Sequence, residues 1–159
     1  TRHLHSRRYS AALLTLAAGQ QADRKTSWFW HLQGEVLTNL GRYQDALVSF
    51  DRALEIAPGH IETLVFQAVC DVHLQRYPQA LERCDRALEL APYHTQAWLF
   101  RGVALQRLGQ YTDAYRSYDA ALRSPRPVRS HPLRQLAQQS ITYCRNLSRT
   151  CRRWLSQAS

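Results

Sequence analysis

Two stretches of this chain spell nearly the same eight residues. ALEIAPGH runs from Ala53 to His60, and ALELAPYH runs from Ala87 to His94. Six of the eight positions are identical, and the copies lie 34 residues apart. A fixed period of this length is the mark of stacked structural repeats, and it constrains the fold more than any local propensity. Sliding the sequence by the same step aligns three blocks: Ser27–His60, Ile61–His94 and Thr95–Val128. The fourth residue of each block is Trp30, Leu64 and Trp98, and the eighth is Gly34, Ala68 and Gly102. Tyr43, Tyr77 and Tyr111 fall in register, as do Ala46, Ala80 and Ala114, then Phe50, Cys84 and Tyr118, then Ala53, Ala87 and Ala121. Pro58 and Pro92 close the first two blocks. The third slips, with Pro125 and Pro127 on either side of Arg126.

The apolar spacing inside a block predicts two helices. Leu47, Phe50, Leu54 and Ala57 fall on one face, while Asp51, Arg52 and Glu55 turn away. Gly41 and Gly109 are placed to stop the first helices. Asp45 and Asp113 suit the first turn of the second helices, where the helix dipole favours a negative charge. Pro78 fits there as well, because a first turn needs no N–H partner. Small residues at Gly34, Ala46 and Ala53 let two antiparallel helices approach closely. One such pair cannot bury its own apolar face, so neighbouring pairs must stack. The recurring ALE(I/L)AP is the end of a second helix and the proline that halts it.

With its period, its Trp-to-Gly opening, its Tyr-x2-Ala step and its closing proline, the sequence resembles the tetratricopeptide repeat family. The resemblance covers residues 27–128 without insertions. It extends backwards through Tyr9, Ala12 and Leu16, which sit where the second helix of an earlier, truncated repeat would be. It implies an all-α solenoid of helical hairpins, wound as a right-handed superhelix. The expected organisation is a basic tail with half a repeat over 1–26, repeats over 27–60, 61–94 and 95–128, and a C-terminal capping helix over 129–159. Without a Met anywhere, the chain reads as a processed product or a fragment of a longer protein.

Charge divides the chain in the same way. Arg2, Arg7, Arg8, Arg24 and Lys25 crowd the first segment, and the segment after Val128 carries arginines and no acid, whereas the blocks between are nearly neutral. The formal net charge is +9. In the last segment Leu133, Ala137, Ser140, Cys144, Leu147, Cys151 and Trp154 follow one helix face, apart from most of Arg134, Arg145, Arg149, Arg152 and Arg153. The first reading is a cap whose apolar stripe covers the last repeat. The second gives Arg145, Arg149, Arg152 and Arg153 an anionic partner. Aromatic side chains are not interleaved as base stacking needs, so nucleic acid or a membrane surface is the weaker choice. Cys70, Cys84, Cys144 and Cys151 form neither CxxC nor a zinc spacing. They read as buried thiols in a reducing compartment, which points to the cytoplasm.

Function follows from the resemblance. In the family, the first helices of the repeats line a concave groove that binds a peptide or helix of another protein. The positions so implied include Trp28, His31, Glu35 and Asn39 in the first block, Val65, Val69 and His73 in the second, and Leu99, Val103 and Arg107 in the third. The residues by which one subfamily clamps the carboxylate of chaperone tails are absent: His31, Glu35, Phe66, Gln96 and Phe100 stand at those places. No GxSxG, HExxH or phosphate loop occurs, and the histidines are scattered. The expectation is a non-enzymatic scaffold with no cofactor and no metal. The open N-terminal half-repeat offers a surface for self-association. The alternative is a regulatory domain of a larger enzyme or membrane-associated protein, its Arg-rich flanks set against an anionic partner.

Overall fold

A computed structural model describes residues 26–124 together with positions 139, 142, 143 and 146. Its helices are α1 (Ser27–Asn39), α2 (Tyr43–Ile56), α3 (Ile61–His73), α4 (Tyr77–Leu90), α5 (Thr95–Arg107) and α6 (Tyr111–Arg123). No strand occurs among the described residues. The chain is all-α, as the periodicity requires. It divides after Arg76 into two compact units, so the break falls between the two helices of the middle block. The first unit holds α1 to α3 and the second α4 to α6. The proposed half-repeat around Tyr9, and nearly all of the proposed capping helix, lie outside the described residues.

Each start and stop has a local cause. The side chain of Thr26 accepts a hydrogen bond from the Phe29 amide at the head of α1. His60 accepts from the Thr63 amide and His94 from the Ala97 amide, so the recurring histidine of the repeat is a helix cap. The first helices end alike. Arg42 N–H donates to Leu37 C=O, Arg76 N–H to Asp71 C=O, and Gln110 N–H to Leu105 C=O, each wrapping the chain back over the last turn. This closure needs a residue with positive φ just past the helix. Gly41 and Gly109 supply it in the outer blocks, at 77° and 78°. In the middle block Gln75 does so at 60°, a conformation costly for a residue with a side chain.

Packing in the first unit centres on one close approach. Phe50 is fully buried among Leu37, Ala46, Leu47 and Cys70. Its ring lies over Gly34, where an added Cβ would meet ring carbons at 2.6 and 2.7 Å. Burying such a ring contributes about 2–3 kcal/mol, and only glycine leaves room for it. The second unit repeats the device with Gly102 under the fully buried Tyr118, within a core of Leu99, Leu105, Ala114 and Ala121. Tyr118 keeps its hydroxyl satisfied by donating to Gln106 Oε1 at 2.8 Å.

Candidate functional site

Trp28, Glu35 and Asn39 lie seven and eleven residues apart, hence on one face of α1. Glu62, Val69 and His73 have the same relation on α3. The two helices are tied side by side where His31 meets Thr63 at 2.9 Å and Thr38 meets the Cys70 sulfur at 3.4 Å. Trp28 is 60% exposed, Asn39, Glu62 and His73 are exposed, and Glu35 and Val69 are partly so. His73 lies flat on Tyr43, ring centres 4.3 Å apart and planes 2° from parallel. Asn39 donates to the backbone carbonyl of Glu35, which leaves the Glu35 carboxylate with no partner among the described residues.

Three of the groove positions that the family resemblance implied are buried. His31, Val65 and Leu99 are 4%, 3% and 0% exposed. His31 turns into the first unit because aromatic rings surround it: Trp28 at 5.7 Å, Phe66 at 5.5 Å, Phe50 at 5.9 Å and His60 at 4.9 Å. The hydrogen bonds assign its proton. The Thr63 amide donates to Nδ1 of His60, so that nitrogen is bare. The Thr63 hydroxyl donates to the same atom at 2.7 Å and accepts from Nδ1–H of His31. Burial holds the His31 pKa below its ordinary 6.5, His60 pushes it the same way, and Glu62 pulls weakly against both. His31 is thus a neutral core residue, joined to the cap of α3.

In the second unit, Leu99 sits in the core with Leu105 and Tyr118. Val103 is partly exposed, and Arg107 is exposed in the last turn of α5. Arg101 donates to Asp85 on α4 at 2.6 Å and to Ser117 on α6 at 2.9 Å, and its guanidinium lies 5.7 Å from the centre of the Trp98 ring. Gln67, at the same block position in the first unit, donates to Asp51 at 2.6 Å. Sequence reasoning missed this polar rung, since partners sixteen residues apart carry no local signal. An open cleft of about 770 Å³ between α4 and the turn before α6, floored by Pro78 and Leu81, was also unforeseen. Arg145, Arg149, Arg152 and Arg153 lie outside the described residues. No described group of His, Cys, Asp and Glu could hold a metal ion, and no described helix is long and apolar enough to cross a membrane.

One family model described as tetratricopeptide repeat matches residues 1–61 and 72–129, and a second matches 37–92. This chain belongs to the tetratricopeptide repeat family. Solved tetratricopeptide structures share its fold at low identity. The OM64 domain of Arabidopsis is 18% identical, with 78% of this chain and 98% of that one aligned and a TM-score of 0.70. The Sgt2 domain of Aspergillus fumigatus is 19% identical over 80% and 82%, with a TM-score of 0.71. A domain of yeast Sti1, solved as a complex with an Hsp70 peptide, is 18% identical over 76% and 97%, with a TM-score of 0.70. The search of curated proteins returned no match.

Proposed function

We propose that this chain is a non-enzymatic interaction module that holds a peptide or helix of a partner protein against its first helices. The observation that carries this reading is the stripe of Trp28, Glu35, Asn39, Val69 and His73, accessible on two neighbouring helices of the first unit. An apolar anchor and a valine among polar groups suit a protein ligand. Membership in the tetratricopeptide family supports it, as does the Hsp70 peptide in the yeast Sti1 structure. Buried thiols at Cys70 and Cys84, not joined as a disulfide, suit a reducing location such as the cytoplasm.

A second reading uses the arginines of the last segment, in a chain of net charge +9, to grip an anionic partner. Salt separates the two, because binding through exposed charge weakens steeply as ions are added. The test is a pull-down from a nuclease-treated lysate at low and high salt, with wild type beside Val69→Arg. A protein retained in salt and lost with Val69→Arg supports the helix face. One that ignores the substitution and washes off in salt overturns it in favour of the arginines.

A further inference from the structure

We infer that the segment bound by the first unit is apolar and basic, with a lysine or arginine of the partner set against Glu35. The inference rests on the proposed helix face and deepens it. Neither α1 nor α3 contains a Lys or Arg. The charges that their accessible stripe offers are the carboxylates of Glu35 and Glu62. Glu62 has a neighbour that could answer it, the Nε2 of His60 at 4.0 Å. Glu35 has none among the described residues. The histidine one turn before it, His31, is buried at 4% exposure and engaged with Thr63, so it supplies no compensating charge.

This face is therefore a negative spot on a protein of net charge +9. Trp28, exposed two turns earlier on α1, and Val69, partly exposed on the neighbouring α3, add apolar surface to the face, and Asn39 holds its amide against the Glu35 carbonyl. A cation brought between them gains attraction in a partly dry setting, and the apolar stem of a lysine or arginine can lie along the tryptophan. An acidic ligand meets repulsion at the same point. Two solved tetratricopeptide structures, 17% and 20% identical with TM-scores of 0.66 and 0.61, hold the peptide SRMEEVD. The charge here selects the opposite kind of peptide.

The test is selection of a random short-peptide display library on the full chain, repeated on Val69→Gln and Glu35→Lys. Val69→Gln disturbs the face without altering charge. The expected yield is a set of peptides with Lys or Arg beside apolar residues, lost with Val69→Gln and replaced by acidic peptides with Glu35→Lys. Synthetic versions should bind Glu35→Gln roughly three- to fivefold more weakly, the range of a partly exposed ion pair. Unchanged melting of the Glu35 variants guards against loss of fold. Peptides that depend on Val69 but are acidic, or indifferent to Glu35→Lys, overturn this inference and leave the helix face standing. A library with no peptide dependent on Val69 overturns the helix face itself.

Discussion

Replacing Gly34 with alanine tests the closest helix approach in the first unit. The new Cβ would stand 2.6 and 2.7 Å from two carbons of the Phe50 ring, about 1 Å inside ordinary contact. The ring has nowhere to go. It is fully buried, with Leu37, Leu47 and Cys70 around it and the Phe66 ring centre 5.7 Å away. Overpacking of this kind costs about 1–3 kcal/mol, and a clash against several fixed atoms belongs near the top of that range. Alanine returns about 1 kcal/mol through its better helix propensity. The net expectation is a loss of about 2 kcal/mol, read from urea unfolding followed by circular dichroism. Phe50→Leu should cost about 1 kcal/mol alone, because the side chain shrinks but stays apolar. Placed together, the two changes should couple favourably by at least about 1 kcal/mol, since the smaller side chain vacates the space the methyl needs. The sequence shows the same exchange: the outer blocks pair Gly34 with Phe50 and Gly102 with Tyr118 in register, while the middle block has Ala68 and Cys84 there. Strict additivity of the two substitutions would refute the argument, because it would mean that Gly34 and Phe50 do not share one space.

Gln75→Gly should raise stability by about 0.5–1 kcal/mol in the same unfolding assay, by relieving the positive φ that Gly41 and Gly109 bear without strain; a loss of stability would mean that the Gln75 side chain earns its place by contacts. Acid should weaken the first unit through His31. Its pKa is depressed in the folded state, so below about pH 6.5 the unfolded chain binds the extra proton and the folded one resists it. Stability then rises with pH through the window just below 6.5 and levels off above it, with a slope of at most about 1.4 kcal/mol per pH unit from this residue. His31→Leu should flatten that slope, and equal slopes for wild type and variant would show that His31 does not titrate differently on folding. Thr63→Val should cost about 1–3 kcal/mol, measured by thermal melting, because it strips the buried His31 Nδ1–H of its acceptor.

What was legible in the sequence is what repeats or acts locally. The period, the two helices of each block, Gly41 and Gly109 as stops, Pro58 and Pro92 after the second helices, and a small residue at Gly34 where two helices approach all follow from spacing and backbone chemistry. The same logic assigns His60 and His94 to helix starts, though it says nothing of their caps being built from imidazole nitrogens. Gln75 escaped notice because its backbone is forced by the chain reversal after α3, against its own preference. The family resemblance also placed His31, Val65 and Leu99 with Trp28 and Val69, although the first three are buried. A helical period says which residues share a face. How much of that face a neighbour covers depends on side chains 16 to 32 residues away, as His31 on Thr63 and Arg101 on Asp85 show. Those distances close only when helices stack, so the proton held on His31, the polar rungs of Gln67 and Arg101, and the carboxylate left open at Glu35 belong to the tertiary structure alone.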